Sequence, residues 1–312
     1  QEEKNMAFTA SDVKNLREST GCGMMDCKKA LTQADGDFDK AVEILREMGL
    51  AKVAKKAGRV AAEGMVYAVA DKAAKLGVVV EVNSETDFVA KNEQFREFVA
   101  DVAKVIMNGN PSSVEELLTM KMPTGETVDE ALKEKIQVIG ENMNIRRFER
   151  YEGPCAAYIH AGGTHGVLVK FETSDEVFAK PEFDVYGQNM AMQIAAMNPA
   201  YLDRASVPAE VVAKEKEIIL VQMANDPKDA NKPEAIKEKI ALGRVSKYYK
   251  ENCLVEQAYV QDDKETIASY TEKTGKELGG SIKIVAFARF EKGEGIEKKA
   301  DDFASEVASM VK

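Results

Sequence analysis

Histidine and cysteine, which commonly carry covalent or metal chemistry, are scarce in this sequence. Its two histidines, His160 and His165, bracket Ala-Gly-Gly-Thr in a predicted hairpin turn, where two imidazoles could share a metal. Cys155 could pair with His160 as a nucleophile. A tetrahedral metal site needs further ligands, and an activated thiol needs a base held by a third group. An enzyme built on these three residues is therefore the weaker of the functional alternatives.

The signatures of nucleotide and metal binding are also incomplete. The sequence has no G-x-x-x-x-G-K-[ST] loop, and Gly293 and Gly295 form only a G-x-G where a dinucleotide fingerprint needs a third glycine. Four residues separate Cys22 from Cys27, with no second Cys or His pair nearby. The 53 acidic residues are too many for one carboxylate pair to stand out. We predict neither a cofactor nor a metal.

The segment Thr86-Asp87-Phe88-Val89 is different. It follows a strand-like run, and Thr86 or Asp87 could cap a single helical turn. The simplest interpretation then places Phe88 in the core. An internal repeat, described below, argues against this, because its second copy has Glu176 or Val177 in place of Phe88. A position that served the shared core should be large and apolar in both copies.

Three short helices are predicted before this segment, within a domain and connector at 6–59. Their apolar positions are Val13 and Leu16; Met24, Cys27, Ala30 and Leu31; and Phe38, Ala41, Val42, Leu45 and Met48. Gly49 is expected to end the third helix, because glycine commonly follows the last helical residue. The stretch that follows lacks an apolar stripe and is predicted to be a helical or flexible connector.

A β-β-α pattern then occurs twice. In the first copy, GMVYAVAD and LGVVVEVNS precede a helix, and in the second CAAYIH and HGVLVKFE do so. The two helices align without a gap, so that Phe98 matches Tyr186 and Ile106 matches Ile194. Further helices are predicted at 112–120, 127–140 and 264–275, and further strands at 142–152 and 281–291.

These patterns predict an α+β protein with antiparallel sheets. The expected core subdomains are 60–153, and 154–205 together with 251–290. A polar two-helix hairpin at 206–250 interrupts the second subdomain and has too few apolar residues to join a core. A C-terminal module at 291–312 ends in a helix with Phe303, Val307, Met310 and Val311 on one face.

The composition of the chain argues against nucleic acids and membranes as partners. The net charge of −10, with both signs dispersed, disfavours binding to nucleic acid through phosphates. No apolar stretch approaches the roughly 20 residues that span a bilayer, and the first residues do not resemble a signal peptide. Four scattered cysteines do not form a disulfide framework. These features predict a cytoplasmic protein that contacts neither membrane nor nucleic acid directly.

Several long motifs resemble those of the elongation factor Ts family. They are TASDVKNLRESTGCGMMDCKKAL, VNSETDFVAKNEQF, GENMNIRR, HAGGTHGVLV and FARFEKGEGIEKK, and they are spread over nearly the whole chain. The resemblance implies a ubiquitin-associated-like N-terminal domain, two related core subdomains, an inserted hairpin and a C-terminal helical module. It also implies an exchange factor without covalent chemistry, whose partner is elongation factor Tu in its GDP-bound and nucleotide-free states.

The resemblance also suggests which residues meet the partner. Asp87 and Phe88 match the pair whose aromatic ring enters the GTPase domain near the magnesium ion of the nucleotide. Arg17, Met24 and Met25 match positions of the N-terminal domain that hold another GTPase helix, and Ile139, Gly140 and His160 match further contact positions. The turn after His160 is one residue longer than the family pattern. In the family the hairpin can mediate a homodimer. Besides an exchange factor and an enzyme, a passive scaffold is the third functional alternative.

Overall fold

The computed structural model describes residues 8–20 and 22–297. The first part is a three-helix domain with its own core, in which Leu16, Leu31 and Leu45 are buried. Its helices are α1 (Ala10–Thr20), α2 (Met24–Gln33) and α3 (Phe38–Lys56). The three predicted helices are present.

The prediction that Gly49 ends the third helix was wrong. Helix α3 continues through Gly49 to Lys56 and thus includes part of the predicted connector. A Cβ atom at Gly49 would lie 1.9 Å from Oε1 of Gln137, which belongs to a helix of the next domain. Glycine in a helix interior costs about 1 kcal/mol relative to alanine. Here the missing side chain lets another element approach closely.

An antiparallel sheet with the order β1-β2-β3 follows. Its strands are β1 (Glu63–Asp71), β2 (Leu76–Ser84) and β3 (Met143–Glu152), and the helices between β2 and β3 are α4 (Glu93–Gly109), α5 (Val114–Thr119) and α6 (Val128–Ile139). Val78, Val80 and Val82 of the central strand pack with Phe95 and Ile106 of α4 in the first large core.

The second antiparallel sheet has the order β4-β5-β8. Its strands are β4 (Cys155–His160), β5 (His165–Thr173) and β8 (Ile282–Glu291), and its helices are α7 (Asp175–Phe178), α8 (Pro181–Met197) and α11 (Ile267–Glu277). Val167, Val169 and Phe171 pack with Phe183 and Met190 in the second large core.

The two sheets pack against each other through the faces opposite their helices. Val79, Leu168 and Cys155 lie in the layer between the sheets. Successive side chains along each strand point alternately into this layer and into the core under the helices. A Cβ atom at Gly77 would lie 2.5 Å from Leu168, and one at Gly166 would lie 2.4 Å from Val66. The layers therefore run helix, sheet, sheet, helix, and both central strands are covered on both faces.

The repeat seen in the sequence has a structural counterpart. Helix α4 ends before Asn110 and helix α8 ends before Asn198, and both asparagines are left-handed, with φ of 50° and 44°. Left-handed asparagine can end a helix because its short polar side chain tolerates this conformation. The aligned pairs Phe98 with Tyr186 and Ile106 with Ile194 are all buried.

A helical hairpin is inserted before α11, formed by α9 (Ala209–Asn225) and α10 (Glu234–Asn252). It has a small core of its own around Met223 and Ala241. The prediction of a helix from 264 was wrong at its start, because Asp262–Thr266 forms strand β7 and pairs with β6 (Ala258–Tyr259). Both strands are short, and β7 is polar, which hides it from pattern analysis.

The α+β class is confirmed. The predicted helix near the C-terminus lies outside the described residues. Among the helices of the described ranges, none has both the length and the apolar character that crossing a bilayer requires.

Candidate functional site

Phe88 lies at an exposed turn directly after β2. Its side chain is 75% exposed, whereas the neighbouring Val89 is 4% exposed and packs in the first large core. The chain forms one 3-10 turn over Val89–Lys91, and no side chain caps it. The expectation of a cap from Thr86 or Asp87 was therefore wrong, because both side chains bond elsewhere. The alternative with Phe88 in the core is also wrong, since Val89 takes that place.

Lys91 connects the two residues at the tip of this turn. Its Nζ atom lies 3.1 Å from Oδ2 of Asp87 and 5.4 Å from the centre of the Phe88 ring. All three side chains are exposed, so each contact contributes at most about 1 kcal/mol. Lys91 thus gathers the carboxylate and the ring without burying either.

The base of the turn is held by two carboxylates that bridge to the start of β3. Glu141 accepts hydrogen bonds from the backbone N–H of Thr86 at 2.9 Å and from its hydroxyl at 2.6 Å. Glu85 in return accepts from the backbone N–H of Asn142 at 2.5 Å and from Arg59 at 3.4 Å. We call these contacts the loop brace. Each segment supplies a carboxylate to a backbone N–H of the other.

Ile139 and Gly140 lie immediately before the loop brace. Ile139 ends helix α6 and packs partly against the first large core, and Gly140 follows with a φ of 89°. Glycine adopts this left-handed conformation without a steric penalty. The reversal at Gly140 sends the chain back so that Glu141 reaches Thr86. These two predicted contact positions are therefore adjacent in space to the turn that carries Phe88.

Met24 and Met25 begin helix α2 and are 45% and 65% exposed. Arg17, in the last turn of α1, is also exposed. The prediction that Met24 belongs to the apolar face of the second helix is thus wrong, and neither methionine lies in the core. Nearby, Nε2 of Gln137 in α6 lies 3.1 Å from Sγ of Cys22 and donates to the carbonyl of Leu45 at 3.2 Å. The three-helix domain therefore sits against the same end of α6 that leads to Gly140.

His160 is exposed at the end of β4, and its Nδ1 lies 3.0 Å from the Tyr158 hydroxyl. The following turn leans on β1, because the Gly163 carbonyl accepts from the N–H of Val66 at 2.8 Å. Strand β1 begins at Glu63, opposite Ser84 at the end of β2. His160 and the turn of Phe88 therefore emerge at the same end of the sheets.

Cys155, His160 and His165, the alternative catalytic residues, are poorly suited to catalysis. Burial raises the pKa of the Cys155 thiol to about 12, so the nucleophilic thiolate is not formed near neutral pH. Burial, followed by the charge of Arg289, lowers the pKa of His165. Across residues 8–20 and 22–297, His, Cys, Asp and Glu side chains never gather in a group of three that could hold a metal ion.

Four residues of this site were not predicted from the sequence: Glu85, Lys91, Glu141 and Asn142. All four lie inside motifs that were recognised, VNSETDFVAKNEQF and GENMNIRR. The adjacency of Glu85 to Thr86 and of Glu141 to Gly140 was a usable signal. The pairing itself spans 55 residues between Thr86 and Glu141, which no local pattern reveals.

Known proteins resemble this chain over nearly its whole length. A family model described as "Elongation factor TS" matches residues 85–294. An elongation factor Ts of Clostridium perfringens (strain 13 / Type A) is 52% identical over 308 residues, covering 97% of this chain and 99% of that protein. One of Syntrophotalea carbinolica is 50% identical over 314 residues, covering 98% and 100%. One of Clostridium kluyveri (strain NBRC 12016) is 51% identical over 309 residues, covering 97% and 99%.

Proposed function

The chain belongs to the elongation factor Ts family, and from this premise we propose that it releases GDP from elongation factor Tu during translation elongation. Members of this family are nucleotide exchange factors and not enzymes in the catalytic sense. Elongation factor Tu is the partner that the family implies. We place this activity in the cytoplasm, where the partner would meet the translation machinery.

Exchange is a thermodynamic coupling between two ligands of one GTPase. If this factor lowers the affinity of the partner for GDP, GDP lowers the affinity of the partner for the factor by the same ratio. The factor must therefore bind an altered, nucleotide-poor state of the GTPase better than the loaded state. A nucleotide site in the factor itself is not required for this.

The observation that carries the proposal is the 75% exposed Phe88 ring on a turn whose base is fixed. We propose that Phe88 inserts near the magnesium and nucleotide site of elongation factor Tu, with Asp87 beside it. Full burial of a phenylalanine side chain contributes about 1.5–3 kcal/mol. At ~1.4 kcal/mol per factor of ten, this corresponds to roughly 10- to 150-fold in affinity.

Other surfaces would hold the complex while the nucleotide leaves. We assign Arg17, Met24 and Met25 to a contact by the three-helix domain, and Ile139, Gly140 and His160 to contacts by the core. Exposed methionine suits this role, because its unbranched and polarisable side chain adapts to a partner surface. We also keep the prediction of a homodimer through the α9–α10 hairpin. Val221 and Leu242 are exposed apolar residues there and could contribute to such an interface.

The first prediction concerns Phe88. We expect Phe88→Ala to stay folded and to lower the rate constant for GDP release from elongation factor Tu by about 10- to 100-fold, because the buried ring is lost from the nucleotide-poor complex. Displacement of fluorescent GDP at several concentrations of the factor measures this rate. Val185→Ala is the matched control, since Val185 is a 62% exposed apolar residue on α8.

Release at the unchanged rate by Phe88→Ala would remove Phe88 from the mechanism. The same assay tests the functional class. A passive scaffold would bind elongation factor Tu without accelerating release, and a protein of unrelated function would do neither.

A further inference from the structure

We propose that Glu141 is a positioning residue that fixes the Phe88 turn in the conformation that enters the partner. This inference rests on the proposed function, because it assigns a role within the same site. Glu141 is partly buried and does not belong to the exposed tip. It would act through Thr86 rather than through contact with the GTPase.

The contact geometry fixes both position and orientation. Oε2 of Glu141 accepts from the Thr86 N–H and Oε1 accepts from the Thr86 hydroxyl, so two bonds converge on one residue. The Thr86 carbonyl accepts in turn from the Ser84 hydroxyl at 2.9 Å. Both peptide groups that flank Thr86 are therefore held, and the next residues in the chain are Asp87 and Phe88.

A second carboxylate makes the loop brace reciprocal. Glu85 accepts a hydrogen bond from the Asn142 N–H, and Glu141 accepts one from the Thr86 N–H. Each of the two residue pairs, 85–86 and 141–142, therefore supplies one acceptor and one donor to the other. The Asn142 side chain also donates to the Arg59 carbonyl at 2.8 Å, and Arg59 donates to Glu85. Three segments that are far apart in the sequence thus meet at the two residues that directly precede Asp87 and Phe88.

An exposed ring on an unbraced turn would have to be ordered when the complex forms. Ordering backbone and side chain opposes association, and a preorganised loop avoids that cost. Glu85, Thr86 and Glu141 are partly buried and Asn142 is buried, so the brace is formed within this chain before the partner binds. Its effect should therefore appear in the step that inserts Phe88 and should hardly affect the other contacts of the complex.

The chain offers a matched control at the start of helix α6, the helix that ends two residues before Glu141. Glu130, at the start of α6, also accepts from the N–H and hydroxyl of a threonine, Thr127, at 2.8 and 3.0 Å. Helix α6 rises roughly 13 Å from Glu130 to Ile139 at 1.5 Å per residue, so the two contacts lie at opposite ends of it. The same substitution at Glu130 thus removes the same kind of contact away from the Phe88 turn.

Fluorescent-GDP displacement with the full chain tests the proposal. We expect Glu141→Ala to lower the maximal rate of GDP release about tenfold, equivalent to ~1.4 kcal/mol. The factor concentration that gives half the maximal rate should change less than twofold. Glu141→Gln should restore much of the rate, because its amide can accept from the N–H and donate to the hydroxyl. Glu130→Ala should release GDP at the wild-type maximal rate.

A double variant separates positioning from general structure. In the Phe88→Ala background, Glu141→Ala should cause no further loss, because the ring that it positions is absent. An equal loss in both backgrounds would overturn the proposal, as would an equal loss in Glu130→Ala. If Phe88→Ala slows release while Glu141→Ala does not, the positioning role fails and the proposed function stands. If Phe88→Ala has no effect, the insertion of Phe88 fails first.

Discussion

At the scale of residues, the two copies of the repeat differ in where one side chain points. In the first copy Phe88 is exposed and Val89 is buried, whereas in the second copy Val177 and Phe178 are both buried. Lys91 and Lys180 follow at the same distance, so the local pattern is the same. The second copy thus keeps both apolar residues for its own core. The first copy leaves an aromatic ring available to another molecule.

Gly140 sets the direction in which the chain leaves helix α6. We expect Gly140→Ala to lower the free energy of unfolding by about 1–2 kcal/mol, because a residue with a Cβ is strained at the φ of 89° found here. Exchange should slow as well, since the same turn aims Glu141 at Thr86. Denaturant unfolding and fluorescent-GDP displacement measure the two effects.

Gly140→Asn is the matched control, because asparagine tolerates the left-handed conformation better than alanine. If the backbone conformation is what matters, asparagine restores both stability and exchange relative to alanine. If elongation factor Tu contacts the bare glycine, the two variants lose exchange equally, and the conformational explanation is contradicted.

At the scale of elements, helices α3 and α6 set where the three-helix domain sits. The Gln137 side chain of α6 fills the space left by Gly49 of α3 and reaches the Leu45 carbonyl and Cys22. Lys56, at the end of α3, donates to the Ile136 carbonyl at 3.4 Å. Since Met24 and Met25 follow Cys22 closely, this contact governs their placement relative to the Phe88 turn.

Gln137 provides the prediction for this interface. We expect Gln137→Ala to lower the free energy of unfolding by about 1 kcal/mol through the lost hydrogen bond, and to loosen the three-helix domain. Small-angle scattering should show a larger radius of gyration, and a higher factor concentration should be needed for half-maximal exchange. Gln33→Ala, at an exposed position of α2, is the control.

Gly49→Ala tests the same interface from its other side. Alanine raises the intrinsic helix propensity of α3 by about 1 kcal/mol, but its methyl group would displace the Gln137 amide. We therefore expect Gly49→Ala to resemble Gln137→Ala. A more stable variant with an unchanged radius of gyration would contradict the role given to this contact.

Some of these elements could be predicted from the sequence, and others could not. Strands β1 and β2 and helices α4 and α8 follow from runs of apolar residues at the proper period, and the α+β class follows from them. The extension of α3 could not be predicted in this way, because a glycine that allows close packing has the same local pattern as one that ends a helix. The loop brace could not be predicted either, because hydrogen bonds between distant segments depend on the tertiary fold.

At the scale of the whole molecule, a buried carboxylate ties the end of β8 to the first sheet. Glu81 is fully buried and accepts from Arg147 at 2.6 Å, from Arg146 at 3.1 Å and from the Gly293 N–H at 2.8 Å. The Asn83 amide donates to it as well, and Glu294 pairs with Arg147. The turn after β8 is thereby attached to a sheet to which β8 does not belong.

This attachment should depend on pH. Burial alone would raise the pKa of Glu81, but hydrogen bonds from Asn83, Gly293 and Arg147 outweigh it and hold the pKa below its ordinary value. A lowered folded-state pKa contributes stability above the unfolded pKa of about 4.3, and this contribution is lost as the pH falls through the folded value. Glu81 should therefore stabilise the fold at neutral pH and lose that effect in acid.

Glu81→Gln tests this prediction. We expect the free energy of unfolding at pH 7 to fall by about 2 kcal/mol, because charge-assisted hydrogen bonds to the two arginines are lost. The difference from the wild type should shrink as the pH is lowered below about 4. Denaturant unfolding at several pH values measures it, with Glu149→Gln, at an exposed position of β3, as the control. A difference that is the same at all pH values would rule out ionisation of Glu81 as the cause.

The pairing of β5 with β8 has a consequence for how the protein is made. Strand β5 ends at Thr173, and β8, which completes its hydrogen bonds, begins only at Ile282. At about 5–20 residues per second, the roughly 110 residues between them take on the order of 5–20 s to synthesise. During that time one edge of the most buried strand in the second sheet has no partner, and unpaired edges recruit other chains. The nascent chain is thus most exposed to aggregation during synthesis of the hairpin, before the second sheet can close.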